Sequence, residues 1–240
     1  MKTPGVFVTG TDTEVGKTVI SAALAAVLRE RNVGVGVMKP VVTGCREENG
    51  KLVGADTACL AAAACVTDPI ETISPFSYAP PVAPTVAAEM AGEPISLNSI
   101  MLTYQSLCDT YEVMVVEGVG GIMVPIADET TVIDMVQAMD LPVVVVARPG
   151  LGTINHTLLT VHAAESAGLH VVAVVLNRYS PGPEDLVVRN NPREIARCID
   201  APVLTFGEAA GVNVENACLG TATELMRNYK LPDIVEGLIQ

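Results

Sequence analysis

Gly10-Thr11-Asp12-Thr13-Glu14-Val15-Gly16-Lys17-Thr18 follows the apolar run Val6-Phe7-Val8 and precedes a helical stretch over residues 19–28. A strand, a glycine-bounded loop ending in Gly-Lys-Thr, and a helix form a phosphate-binding arrangement. The glycines let the backbone fold around an anion, and the helix turns its unpaired N–H groups toward it. Lys17 is expected to reach the outer phosphates, and Thr18 to offer its hydroxyl to Mg²⁺. Five residues rather than the usual four separate Gly10 from Gly16. A chain with this stretch must deliver a loop from a strand to the edge of a sheet and carry the chain back through a helix.

The rest of the sequence repeats that rhythm. Short β-branched runs at 33–38, 113–116, 143–147, 171–176 and 202–205 alternate with helical patterns at 56–65, 97–110, 131–139, 154–167 and 190–199. Continuous apolar strands between helices mark a parallel sheet covered on both faces. The expectation is a doubly wound, mainly parallel α/β fold of the P-loop NTPase kind, one domain over residues 1–240. Two stretches read otherwise. Residues 40–54 read as a loop rich in Gly, Thr and charge. Residues 66–95 carry prolines at 69, 75, 80, 81, 84 and 94, and read as an irregular excursion over the surface. Ligands of such sheets bind beyond the carboxyl ends of the strands. Residues 10–18, Lys39, residues 117–121, residues 148–155 and Asn177 all fall there.

Half of the chain is hydrophobic, yet it has no Trp and three Phe, so the core must be built from Val, Leu, Ile and Ala. A net charge of −13 argues against nucleic-acid and anionic-membrane partners. It does not argue against a phosphate ligand, which local donors bind. With no leader-like start and no apolar run of membrane length, the chain reads as soluble and cytoplasmic. Six scattered cysteines without a Cys-x-x-Cys pair read as reduced, mostly buried thiols. His156, His162 and His170 lack a metal-ligand spacing.

Phosphoryl transfer needs positioning and charge neutralisation. Glu117 follows four apolar residues, which makes it a carboxylate fixed at a strand end and a candidate Mg²⁺ ligand beside Thr18. Asp56 has two readings, a further Mg²⁺ ligand or the N-cap of its helix. Lys39 ends an otherwise apolar strand; it either snorkels to solvent or faces the ligand cleft, and its place beside the phosphate loop favours the cleft. Thr43, Thr11 and Thr13 offer hydroxyls. The glycine loop 150–155 opens a helix and reads as a plain helix start or as a carboxylate holder. After Asn177 come Arg178-Tyr179-Ser180, without the aspartate that reads guanine, so adenine is the expected base.

These residues resemble the ATP-dependent dethiobiotin synthetases. The resemblance rests on Gly10 to Thr18, on Lys39-Pro40-Val41 with Thr43-Gly44, on Val116-Glu117-Gly118-Val119-Gly120-Gly121, and on Leu151-Gly152-Thr153-Ile154-Asn155-His156. It implies a seven-stranded type of parallel fold, a homodimer, ATP and Mg²⁺ as cofactors, and 7,8-diaminononanoate and CO₂ as substrates. By the resemblance, Thr13, Glu14, Val15, Gly16, Lys17, Thr18 and Val19 surround the phosphates, and Thr18, Asp56 and Glu117 hold Mg²⁺. Lys39 and Lys17 are catalytic. Gly118, Val119 and Gly120 line the nucleotide site, and Asn177 contacts adenine. Thr11, Thr43 and the loop Leu151, Gly152, Thr153, Ile154 and Asn155 meet the substrate, the loop across the dimer interface. The family's Gly-Glu-Ile-Pro type of base-supporting segment is here Phe206-Gly207-Glu208-Ala209-Ala210, without the proline.

Three rivals were weighed. A cobyrinate-type amidotransferase ligase needs a glutaminase domain for which 240 residues leave no room. An ATP-driven dimerising switch carries a lysine five residues before the Gly-Lys-Thr lysine, where this chain has Asp12. A regulatory domain without activity would not need Lys17, Lys39 and Glu117 together.

Overall fold

A computed structural model describes residues 4–239; residues 1–3 and 240 of the expected 1–240 domain lie outside the described residues. The chain opens with β1 (Gly5–Gly10), α1 (Lys17–Glu30) and β2 (Val35–Met38). Then come the short strands β3 (Val41–Thr43), β4 (Arg46–Glu48) and β5 (Lys51–Val53), and α2 (Ala55–Ala64). Residues 66–95 hold α3 (Ile70–Ile73), β6 (Phe76–Tyr78) and α4 (Pro84–Ala91). α5 (Leu97–Cys108), β7 (Val113–Gly121), β8 (Pro125–Ala127), β9 (Thr130–Thr131), α6 (Val132–Met139) and β10 (Val143–Ala147) follow. The chain continues through α7 (Thr153–Ser166), β11 (Val171–Leu176), α8 (Leu186–Ala196) and β12 (Val203–Thr205). A 3₁₀ turn at Val214–Asn216, α9 (Ala222–Arg227) and α10 (Lys230–Glu236) complete it.

Among the described residues the main sheet has six parallel strands in the order β12-β11-β10-β1-β7-β2, not the seven that the resemblance implied. Strand parity sorts its side chains onto two faces. Phe7, Met38, Met114, Val116, Val143 and Val145 pack on one face under α5, α6 and α7. Val6, Val8, Val35, Val37, Val113, Val115 and Val144 pack on the other under α1 and α2, together with Ala222 and Met226 of α9 and Leu231 and Val235 of α10. α1 is buried from Lys17 through Leu28, which suits its run of alanines and β-branched residues between sheet and neighbouring helices.

Several expectations need correction. Residues 40–54 are not simply a loop: β4 and β5 pair as an antiparallel hairpin, and β3 pairs with β6 in parallel. The proline-rich part is no surface excursion, because Ile73, Tyr78 and Ala87 are buried in the core. Its prolines stop long elements but serve short ones; Pro84 stands at the start of α4, where its missing N–H costs nothing. α8 begins at Leu186 rather than at 190, because the Asp185 side chain caps it by accepting from the Val188 N–H, and Pro192 lies inside it. β7 runs on through Gly121, so Glu117 lies within the strand and not at its end. Of the six cysteines Cys45 and Cys59 alone are buried, not most of them, while Cys65, Cys198 and Cys218 are exposed. Among the described residues no helix is long and apolar enough to cross a membrane.

Candidate active site

The phosphate loop leaves β1 and enters α1 through Gly16, whose φ of 93° only glycine holds without strain. No side chain caps α1, so the first N–H groups of that helix face the loop unclaimed. Lys17 is buried, and its ammonium donates to the Asp12 carbonyl at 3.0 Å, back across the loop. A side chain at position 16 would meet Asn177 Nδ2 at 2.0 Å, so the glycine also makes room for that amide. Asn177 Nδ2 donates to the Val15 carbonyl at 2.9 Å and backs the loop from the end of β11.

Lys39 and Glu117 meet because of register. β2 pairs with β7 so that Met38 lies beside Val116, and one residue further Lys39 falls beside Glu117. Both side chains then lie on the face that carries Val37 and Val115, which is the face under α1 and α2. Lys39 Nζ donates to Glu117 Oε1 at 2.6 Å and to Asp56 Oδ2 at 2.9 Å. Thr18 Oγ1 lies 2.9 Å from both Asp56 Oδ1 and Glu117 Oε1. Asp56 stands at the second position of α2, after Gly54 as N-cap, and its carboxylate reaches Lys39 and Thr18 rather than capping the helix.

Burial and charge set the protonation of this cluster. Burial alone would lower the Lys39 pKa, but Glu117 and Asp56 outweigh it and hold the ammonium above its usual range. Burial pushes the Glu117 carboxyl up, against the pull of Lys39. For Asp56 burial works upward too, but the Lys39 ammonium wins and its pKa is lowered. Lys17 is lowered to about 8, by burial first and by the nearby Lys39 charge second. Thr18, Asp56 and Glu117 offer only hydroxyl and carboxylate oxygens, the hard donors that suit Mg²⁺. Glu117 Oε2 is buried without a hydrogen-bond partner among the described residues, a costly arrangement unless a cation answers it. The residues therefore fit the ion.

A cleft of about 480 Å³ joins Glu14, Gly16, Lys17, Thr18, Asp56 and Glu117, with Val214 and Glu215 on its rim. A second pocket of about 320 Å³ shares Val19 and Arg178 with it and runs on between Asn177 and residues Glu208, Ala209, Gly211 and Val212. Glu208 and Ala209 of the expected base-supporting segment thus line the second pocket, while the places of Gly211, Val212, Val214 and Glu215, and the pairing of Arg46 with Glu215 at 2.6 Å, were not legible without the fold. Thr13 is exposed, Thr11 half-buried with its N–H on the Val146 carbonyl, and Thr43 half-buried at the end of β3.

Other expected residues sit less directly. Of Gly118, Val119 and Gly120, only Gly118 touches the cluster, through its carbonyl, which accepts from Lys39 at 3.2 Å. A Cβ at Gly118 would meet the Phe7 ring at 2.8 Å, so this glycine admits a core side chain rather than a ligand. Val119 packs on the core. In the loop before α7, Leu151 is 83% exposed and Gly152 and Asn155 are exposed. Ile154 packs on the core, and the buried Thr153 hydroxyl lies 3.4 Å from that of Thr157. Arg148 went unnamed as a candidate, yet it reaches toward the loop, with Asp12 Oδ2 at 3.6 Å and His156 Nδ1 at 3.3 Å. Asp12 therefore occupies the position of the switch lysine with the opposite charge.

A family model described as AAA domain matches residues 4–208. The chain is 41% identical over 200 residues to the ATP-dependent dethiobiotin synthetase of Bacillus subtilis subsp. natto, covering 83% of this chain and 85% of that one. It is 43% identical over 195 residues to the enzyme of the same name from Anaeromyxobacter sp. (strain K), covering 80% and 84%. Among solved structures, the cell-division MinC:MinD complex of Aquifex aeolicus matches with a TM-score of 0.62 and 15% identity over 98% of this chain and 96% of that one. Septum site-determining MinD of Pyrococcus horikoshii matches with a TM-score of 0.55 and 15% identity over 98% and 94%. At such identity these structures speak for the fold alone.

Proposed function

The chain belongs to the ATP-dependent dethiobiotin synthetases, and from that membership we infer that its cleft closes a cyclic urea: 7,8-diaminononanoate, CO₂ and ATP become dethiobiotin, ADP and phosphate. It is an ATP-dependent ligase of biotin biosynthesis. One amine of the diamine adds to CO₂ and loses a proton, giving a carbamate. A carbamate oxygen attacks the γ-phosphorus, and ADP leaves. The neighbouring amine then attacks the carbonyl carbon of the mixed anhydride. The bond from that carbon to the phosphate oxygen breaks, a proton is lost, and the five-membered ring closes.

The chain's residues serve this sequence by placement and charge, with no protein nucleophile. The N-terminus of α1 and Lys17 hold the transferring phosphate, as buried donors act where charge develops. Lys39, bonded to both carboxylates in this arrangement, is the cation proposed to meet the carbamate and the γ-phosphate. Thr18, Asp56 and Glu117 would hold Mg²⁺, which when bound would neutralise phosphate oxygens. Asn177 steadies the loop through Val15 and, with residues 208–212, borders the pocket proposed for adenine. We propose a homodimer in which the exposed Leu151 loop takes the substrate carboxylate of the partner's site, with Thr11 and Thr43 as further substrate contacts. The proposed place of action is the cytoplasm, which keeps exposed thiols such as Cys65, Cys198 and Cys218 reduced.

The observation that carries the reading is the convergence of Lys17, Thr18, Asp56 and Glu117 on one cleft, with Lys39 bonded to both carboxylates behind it. Purified protein given the diamine, bicarbonate and MgATP should release dethiobiotin and ADP in equal amounts. ATP hydrolysis indifferent to the diamine would overturn the reading.

A further inference from the structure

An ammonium group has three N–H bonds to give. Lys39 Nζ gives all three inside the protein, to Glu117 Oε1, Asp56 Oδ2 and the Gly118 carbonyl. Its side chain is 4% exposed. In this arrangement it has nothing left for a carbamate or a phosphoryl oxygen. To touch a reacting atom it must surrender a partner.

The surroundings say which partner and why. Asp56 and Glu117 share one ammonium, and two carboxylates this close repel each other unless a cation lies between them. Glu117 is wholly buried in β7, so its charge has no water to turn to. Thr18 has a single hydroxyl proton but stands 2.9 Å from an oxygen of each carboxylate, so it satisfies one of them at a time. Glu117 Oε2 has no partner at all among the described residues. The pair thus keeps an unanswered oxygen even with Lys39 in place. Asp56 is the partner that can let go, because its side chain is 37% exposed and faces the cleft, whereas Glu117 is fixed in the sheet.

We propose that Lys39 is an exchangeable internal counter-ion. Without a divalent cation it neutralises and holds the Asp56–Glu117 pair. When a divalent cation takes those carboxylates, Lys39 releases Asp56 and turns an N–H toward the anionic substrate. This rests on the metal-ligand reading of the cleft. It adds a consequence: the cation and the anionic substrate each favour the other's binding through one side chain, and such coupling is reciprocal.

The test is Mn²⁺ binding to the full chain, followed by electron paramagnetic resonance without nucleotide. In the wild type, saturating diamine with bicarbonate should tighten Mn²⁺ binding by about fivefold or more. Lys39→Met removes the competing charge, so the bare variant should bind Mn²⁺ at least about tenfold more tightly than the bare wild type. The diamine and bicarbonate should then no longer alter it. Equal or weaker Mn²⁺ binding by Lys39→Met overturns the proposal, and so does a wild-type affinity that ignores the diamine and bicarbonate. If Lys39→Met does not fold, the wild-type titration decides alone. Dethiobiotin formation by the same wild-type preparation separates the two failures: product with metal binding insensitive to Lys39 and to substrate refutes the exchange and leaves the ligase reading standing.

Discussion

The phosphate end of the cleft and its far end are built in different ways. At the phosphate end one loop, the starts of α1 and α2, the end of β2 and the middle of β7 converge, and Lys17, Thr18, Lys39 and Glu117 are buried. Lys17 and Thr18 are set by α1, Glu117 by β7 between β1 and β2, and Lys39 by the end of β2. The far end, beside Asn177, is finished by residues 208–212, which belong to no helix or strand. That segment is held by two hydrogen bonds between Ala210 and Thr221, by Phe206 packing edge-on against Tyr229 with ring centres 5.2 Å apart, and by α9 and α10 against α1. The buried charged cluster sits among packed strands and helices, the stiff end, and the pocket proposed for the base depends on the tail.

Inorganic tripolyphosphate probes the first end, and ADP probes both. Phe206→Ala should have the largest effect. It empties a fully buried site and should cost about 3–5 kcal/mol in denaturant unfolding. At temperatures where the variant stays folded, ADP affinity should fall while tripolyphosphate affinity holds. Equal losses for both would erase the distinction between the ends. Gly16→Ala comes next, since it forces an unfavourable backbone and drives a Cβ onto Asn177. Calorimetry should show both ligands weakened by roughly 10²-fold. Asn177→Ala removes the donor to Val15 and should cost about 1 kcal/mol, or roughly fivefold, in affinity for both ligands. A loss confined to ADP would instead make Asn177 purely a base contact. Arg46→Ala breaks an exposed ion pair over the cleft rim and should change stability by less than about 0.5 kcal/mol. A larger change would mean that the rim is part of the stiff end.

The same contrast explains what could be read in the sequence. The strand–loop–helix around Gly16, the sheet strands and the candidacy of Lys39 and Glu117 follow from local pattern, because apolar β-branched runs and a glycine loop leave few alternatives. Their meeting does not: it needs β7 between β1 and β2, a long-range order that no local run announces. The small pairings of β3 with β6 and β4 with β5 were lost among glycines and prolines, since strands of three residues give no period. Asp56 stayed ambiguous because an acid at a helix start suits a cap as well as a ligand, and only the distance to Lys39 separates the two. The part of the tail in the cleft, Glu208 to Glu215, mixes small, apolar and acidic residues without a period, so its place is set by packing of Ala209, Val212 and Val214 on the core and not by its own pattern.

The central claim is that a carbamate oxygen, held in this cleft, takes the γ-phosphate of ATP. Freshly added ¹⁸O-labelled CO₂, with the reaction quenched within seconds and the products read by mass spectrometry, tests it. The account predicts one labelled oxygen in the released phosphate and one in the ring carbonyl of dethiobiotin. Phosphate that carries no label while labelled dethiobiotin forms would contradict it.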